Sequence, residues 1–307
     1  MAQPLLMRLR ARLRQQDPGS RIEVLAAPWV APVARRMAQV DEVIEADLRH
    51  DALQLGERWK LGRELGQRAY DQAIVLPNSW KSALIPFFAD IPLRSGYTGE
   101  SRYGLLNLLY RKKRGGETMA SHYARLAGKP GTELELPLPV PSLLFDPEKT
   151  KATATRFGIS GPYTVLCPGA EYGPAKRWPY FPELSRQLNS QVVVLGSAAD
   201  KTEAGDIQGR NLAGQTTLDE AIDLIAGAEC VVSNDSGLMH IAAATGTPQV
   251  ALFGSSSPEL TPPQSASARV VWLKIDCSPC YQRTCPLGHF RCMREISVDS
   301  VVQELRR

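Results

Sequence analysis

The sequence predicts two doubly wound α/β domains in tandem, and three observations carry that prediction. Short apolar runs alternate with amphipathic stretches along the whole chain, the pattern of a parallel sheet covered on both faces. At 307 residues the chain exceeds one ordinary core and suits two of roughly 150 residues. The stretch Leu136-Pro-Leu-Pro-Val-Pro-Ser142 cannot continue a helix or a central strand, which places the boundary between domains 1–140 and 141–307.

In chain order, residues 2–15 read first as an amphipathic helix, because Leu5, Leu6, Leu9 and Leu13 recur at helical spacing. The chain thus opens on a helix with no strand before it. In doubly wound sheets that strand is central, so a gap is expected in the middle of the first sheet. Strands follow at Ile22–Ala26, Glu42–Glu45 and Ala73–Leu76, with helices at Trp29–Ala38, Leu53–Arg68 and Lys81–Ala89. The run Arg111-Lys-Lys-Arg-Gly-Gly116 reads as an exposed basic loop, either a solvated turn or a contact for an acidic partner.

In the second half, strands are predicted at Thr164–Cys167, Val192–Leu195, Cys230–Ser233 and Val250–Phe253, and helices at Pro182–Leu188, Leu218–Ala228 and Leu238–Ala244. Two strand ends carry chemistry. The first is Cys230-Val-Val-Ser-Asn-Asp-Ser-Gly-Leu-Met-His240, where an apolar strand meets polar and glycine residues and then a helix. A helix opening there aims unpaired N–H groups and a positive dipole end at its ligand, an arrangement suited to a diphosphate. Ser236 and Gly237 offer backbone groups and Asp235 a sugar-hydroxyl acceptor, although Asp235 and Ser236 could equally be helix caps. His240 lies one turn in, where a helical histidine is commonly structural.

The second strand end is Cys167-Pro-Gly-Ala-Glu-Tyr-Gly-Pro-Ala-Lys-Arg-Trp-Pro179. Its Gly169 and Gly173 permit close backbone approach, while Lys176 and Arg177 supply cations for a departing diphosphate. The glycine spacing matches neither the dinucleotide fingerprint nor the Walker loop, which argues against an oxidoreductase or a kinase.

Composition narrows the remaining classes. Residues 1–129 hold 21 Lys and Arg against 13 Asp and Glu, and the rest of the chain is acidic. Such a surplus suits phosphorylated lipid, nucleic acid or an acidic membrane surface, or is simply a solvated face. No apolar run is long enough to span a bilayer, and the arginine-rich start holds no signal-peptide core, so a cytoplasmic location is expected. Cys167 and Cys230 read as small core hydrophobes. Cys277, Cys280, Cys285 and Cys292, with His289 nearby, offer soft ligands for a structural zinc; four reduced thiols in a loop is the alternative.

The two strand-end runs, together with Val194-Leu-Gly-Ser197, Arg210-Asn-Leu-Ala-Gly214 and Ser256-Ser-Pro258, resemble glycosyltransferase family 9, in particular its lipopolysaccharide heptosyltransferases. The runs Leu76-Pro-Asn-Ser-Trp-Lys-Ser-Ala-Leu-Ile-Pro-Phe-Phe-Ala89 and Gly99-Glu-Ser-Arg-Tyr-Gly-Leu-Leu-Asn107 extend the similarity over nearly the whole chain. The resemblance implies a GT-B fold of two Rossmann-like domains facing across a cleft. Its N-terminal domain would bind a heptosyl-Kdo2-lipid A inner core and its C-terminal domain ADP-heptose, the heptose being transferred with inversion.

Residue by residue, the resemblance puts Lys176 at the donor phosphates and Gly169, Ala170, Glu171, Asp235, Ser236, Gly237 and His240 around the donor. Lys176 and Asp235 are the catalytic candidates. Lys81, on the loop after the third strand, and Arg58 and Lys60 are the acceptor candidates. No metal is implied for the transfer and no nucleic acid as partner. The enzyme would work peripherally at the inner face of the cytoplasmic membrane, reached through basic surface.

One departure from the family stands out. Family members open with a short apolar strand, a glycine turn and an aspartate that acts as general base, and Met1 falls just after that aspartate. A start codon upstream or a truncation is therefore expected, and weak or absent transfer by the chain as given. Two further readings stay open: a catalytically impaired ADP-sugar-binding protein, and a GT-B nucleotide-sugar epimerase.

Overall fold

The computed structural model describes residues 1–307 apart from 50, 113 and 114. Lys113 and Arg114 of the expected basic loop thus lie outside the described residues. The chain divides into two compact units, one of Met1–Ala31 with Gln39–Pro139 and one of Pro32–Ala38 with Val140–Arg307.

The first half of the chain runs α1 (Gln3–Gln16), β1 (Glu23–Ala26), α2 (Ala31–Arg35), β2 (Glu42–Glu45), α3 (Leu55–Gly66), β3 (Gln72–Val75), α4 (Trp80–Phe88), β4 (Leu93–Tyr97), β5 (Leu108–Tyr110) and α5 (Met119–Ala124), all in the first unit except α2, of which only Ala31 belongs to it. Helix α1 forms where the leucine spacing predicts it. Leu5 and Leu9 are buried against Tyr97, Tyr110 and Leu126, with Leu6 and Leu13 packed at the margin. The strands are parallel and fall into two ladders, β1–β2 and β3–β4–β5. Among the described residues no ladder joins them, which is the interruption the sequence predicts. Side chains bridge the elements instead: Arg68 pairs with Glu23 and Glu42 at 2.7 and 2.8 Å, and the Tyr70 hydroxyl donates to Glu23 at 2.5 Å.

The second unit runs α6 (Pro147–Arg156), β6 (Tyr163–Cys167), α7 (Phe181–Gln187), β7 (Gln191–Val194), β8 (Arg210–Asn211), α8 (Leu218–Ala226), β9 (Cys230–Asn234), α9 (Gly237–Thr245), β10 (Gln249–Phe253), β11 (Ala268–Trp272), α10 (Arg291–Arg294) and α11 (Val298–Leu305). A parallel six-stranded sheet in the order β11-β10-β9-β6-β7-β8 forms its centre. Because side chains alternate faces along a strand, Val165, Val193 and Val231 join one core while Leu166, Val194 and Val232 join the other. Every residue of β6 and β10 is buried, as strands covered on both sides require.

Local signals fix where the helices begin. Asp146 caps α6 ahead of a first-turn proline, Ser297 caps α11, and Thr217 with Glu220 closes a capping box on α8.

The predicted helix at Trp29–Ala38 shortens to Ala31–Arg35, and residues 32–38 pack with the second unit. The reason is both apolar and ionic. Val33 and Met37 pack on the core beneath α8, and Arg36 reaches Asp219 at 2.9 Å and the fully buried Asp223 at 2.7 Å. The Leu144 amide also donates to the Arg36 carbonyl at 2.8 Å.

Candidate functional site

The register of the second sheet brings three strand ends together. Cys167 of β6 lies beside Ser233 of β9, and Asn234 beside Leu252 of β10. The loop after β6 (168–178), the turn after β9 and the serines after β10 therefore emerge at one edge, outside the carboxyl ends of the strands, where open α/β sheets bind their ligands.

Lys176 and Asp235, 59 residues apart, meet there in a salt bridge between Nζ and Oδ2. The same carboxylate oxygen accepts the Ser256 hydroxyl at 2.6 Å. Asp235 is thus held from the side through Oδ2, and the N-cap position of α9 belongs to Ser236. Ser236 occupies the N-cap position of α9, but its side chain makes no capping bond and contacts Ser233 Oγ at 3.1 Å. The first N–H groups of α9 have no partners within the helix. With Gly237 exposed and nothing within 4 Å of where its Cβ would lie, the helix opening faces free space.

Asn234 holds the arrangement. Completely buried, it accepts from the Trp178 amide at 3.1 Å and donates to the Pro168 carbonyl at 2.7 Å, so one amide group pins both ends of the Lys176 loop. The chemistry-bearing sequence reading passed over Asn234, because nothing in a strand-end asparagine announces that both its polar atoms are buried and used. Tyr172 was likewise missed. Its ring lies 4.9 Å from the Lys176 ammonium and 5.3 Å from the Arg283 guanidinium, and its hydroxyl donates to the Tyr281 carbonyl at 2.5 Å.

Other predicted donor residues separate into two groups. Ala170 is buried and Glu171 exposed on the same loop. His240 is half-buried one turn into α9, and burial pulls its imidazole down to about 4, leaving it neutral near pH 7. Gly169 is constrained from within the protein: a Cβ there would fall 2.3 Å from the Asp200 carboxyl carbon, and Asp200 is fixed by Ser197 N and Oγ at 2.8 and 2.7 Å. Arg177, expected to act beside Lys176, turns to Glu203 in a salt bridge. Lys176 ends the short 3-10 turn Pro174–Lys176 while Arg177 is already extended, and this change of backbone conformation between them sends the two cations to different partners. Cys167 is buried and pushed up to about 12, and the partly buried Cys230 up to about 11, so both are inert thiols at neutral pH.

The acceptor candidates lie in the first unit and do not make one patch. Lys81 stands in the first turn of α4 rather than on a loop. Arg58 is only 4% exposed and spends its guanidinium on the Leu53 carbonyl at 2.6 Å and the Lys81 carbonyl at 3.3 Å. Lys60 is exposed. Two positions along a helix are about 200° apart, so Arg58 faces inward where Lys60 faces out.

The four clustered cysteines all line one cavity of about 40 Å³, together with Ala175, Ser255 and His289. All are free thiols. Among the described residues no three Cys, His, Asp or Glu side chains are already arranged to hold a metal ion, and no helix is long and apolar enough to cross a membrane.

Comparison with known proteins points one way. The profile of glycosyltransferase family 9 (heptosyltransferase) matches residues 58–291. Lipopolysaccharide heptosyltransferase 2 of Escherichia coli strain K12 is 43% identical over 99% of this chain and 93% of its own length. Lipooligosaccharide heptosyltransferase 2 of Haemophilus influenzae is 43% identical over 85% of this chain and 82% of its own. The structure of E. coli ADP-heptose lps heptosyltransferase II superposes with a TM-score of 0.88 at 40% identity, covering 99% of this chain and 93% of that one.

Proposed function

The chain belongs to glycosyltransferase family 9, and from that membership we propose that it transfers L-glycero-D-manno-heptose from ADP-heptose to the heptosyl-Kdo2-lipid A inner core, with inversion at the anomeric carbon. It is a glycosyltransferase of GT-B architecture that adds heptose during synthesis of the lipopolysaccharide core. In this reading residues 141–307 bind the donor and residues 1–140 the acceptor.

The observation that carries the donor assignment is the meeting of Lys176, Asp235 and Ser256 beside the N-terminus of α9. A diphosphate there gains the Lys176 ammonium and the N–H groups of Gly237 and its neighbours. As the acceptor hydroxyl oxygen bonds to the anomeric carbon, giving up its proton, the bond from that carbon to the phosphate oxygen breaks and negative charge grows on the leaving diphosphate. A preorganised cation at that point stabilises the transition state more than the ground state. Lys176 therefore supplies the charge that a metal ion supplies in other transferases, and transfer needs no metal. Asp235 keeps the ammonium in place before the donor arrives and accepts a donor hydroxyl once phosphate takes over Lys176. Gly169, Ala170, Glu171, Ser236 and His240 complete the surroundings, His240 as a neutral hydrogen-bonding group.

For the acceptor, Lys60 and Lys81 are the candidate cations for anionic sugar, the Lys81 ammonium also donating to the Ala52 carbonyl at 3.4 Å and Arg58 bracing the backbone at Lys81. The basic excess of residues 1–129 suits peripheral contact with the anionic inner face of the cytoplasmic membrane. Cys277, Cys280, Cys285 and Cys292 are the candidate ligands of a structural zinc, four soft donors being the set that ion prefers.

The deciding assay supplies ADP-heptose and heptosyl-Kdo2-lipid A and follows ADP release and product mass. Transfer that fails with ADP-heptose yet proceeds with another nucleotide sugar would refute the donor assignment.

A further inference from the structure

The cysteine loop is bonded to both halves of the donor cluster. From the backbone between Cys280 and Cys285, the Arg283 carbonyl accepts the Ala175 amide at 3.0 Å and the Tyr281 carbonyl accepts the Tyr172 hydroxyl at 2.5 Å. Both partners belong to the loop that carries Lys176. On the other side, the Tyr281 amide donates to the Ser255 carbonyl at 2.7 Å, next to the Ser256 that holds Asp235. Gly173 fits against this segment at such close range that a Cβ would lie 2.5 Å from the Arg283 carbonyl oxygen.

We propose that Cys277, Cys280, Cys285 and Cys292 bind one zinc-class divalent cation as thiolates, and that this ion positions the Lys176 loop for the donor diphosphate by clamping residues 281–284. The second clause rests on the reading that Lys176 meets that diphosphate. Three features of the cavity favour a metal. All four cysteines line the same small space, and His289 lines it with them. The Phe290 amide donates to Cys285 Sγ at 3.4 Å, the kind of bond that steadies a thiolate ligand. Ser255 Oγ, on a residue 1% exposed, is a buried hydroxyl without a hydrogen-bond partner on the wall of the same cavity, a polar group of the kind that calls for an explanation.

The thiols do not yet stand in ligating geometry. Binding the ion would require the four thiols to move toward one another and release their protons to solvent, and would tighten the loop that carries them. Coordination by residues on either side of 281–284 then removes freedom from the very carbonyls that hold Ala175 and Tyr172. The ion acts on the reaction only through that backbone.

The test uses the full chain purified under reductant. Metal content is measured after incubation with ZnCl2, and a Co2+-loaded sample is examined for thiolate charge-transfer and tetrahedral d–d absorption. ADP affinity is then measured by calorimetry on loaded wild type, on wild type stripped with a chelator, and after zinc is returned. Stripping wild type avoids dependence on variants that fail to fold; Cys285→Ser serves as a second route. About one equivalent of metal, the thiolate absorption, and an ADP affinity at least about tenfold weaker on stripping and restored by zinc support the proposal. Absence of the Co2+–thiolate bands overturns the site, and an ADP affinity unchanged within about twofold on stripping overturns the positioning role. Lys176→Ala in the loaded protein separates the premise: ADP binding equal to wild type refutes the donor reading, whatever the metal does.

Discussion

Lys176, in the loop that follows β6, and Asp235, directly after the neighbouring β9, close an ion pair that neither could form from its own loop. The pair places a cation beside the open N-terminus of α9 while balancing its charge until an anion arrives. Replacing the lysine removes that transition-state stabilisation and also leaves the buried Asp235 carboxylate without its cation, so the variant loses stability as well as rate. Lys176→Ala is expected to lower kcat by about 10²–10³-fold, in the range of losing one preorganised donor to a developing anion. Steady-state kinetics with saturating ADP-heptose check it, and a kcat within a few-fold of wild type would show that the diphosphate leaves elsewhere.

Asn234 sets the position of that lysine from beneath. Asn234→Ala leaves the Trp178 amide and the Pro168 carbonyl unpaired, a cost of roughly 2–4 kcal/mol for two buried polar groups. The expected result is a lower melting temperature together with a raised KM for the donor. Asn234→Asp retains the acceptor for Trp178 but turns a carboxylate toward the Pro168 carbonyl, so it should rescue neither quantity. Full donor affinity in a destabilised Asn234→Ala protein would contradict the positioning role.

Gly169 separates a packing requirement from a ligand contact. Its missing Cβ makes room for the Asp200 carboxylate, which Ser197 holds. Gly169→Ala should cost about 1–3 kcal/mol through overpacking, and Asp200→Ala on that background should recover part of the loss. Thermal denaturation of the single and double variants decides between this account and one in which a methyl group merely blocks the donor.

His122 predicts a pH dependence of stability. It is 6% exposed and stacked on Tyr97 with centroids 3.8 Å apart, and burial lowers its imidazole below the usual value, despite Glu117 at 3.6 Å pulling the other way. Above about pH 6.5 the histidine is neutral in both folded and unfolded chains, and the contribution is complete. Below that, the unfolded chain takes up the proton first, so stability falls as pH falls. Melting curves from pH 7.5 to 5 should show this decline, with a shallower slope in His122→Gln. Parallel slopes would exclude the histidine as its source.

The sequence by itself determined the alternation of strands and helices, the parallel character of the sheets and the two polar, glycine-containing loops at strand ends. Those properties follow from periodicity, from proline and glycine placement and from motif runs, all of which are local. Tertiary structure alone decided which polar residues meet. It turned Arg177 to Glu203 while leaving Lys176 for Asp235, and it buried Arg58 against backbone carbonyls while Lys60 stayed in solvent. It also assigned residues 32–38 to the second unit through Arg36 and Asp223. Each of these outcomes depends on the direction of a side chain and on partners tens of residues away. A linear pattern encodes the faces of an element, but the pairing of charges is set by strand register and burial, which exist only once the sheet has formed.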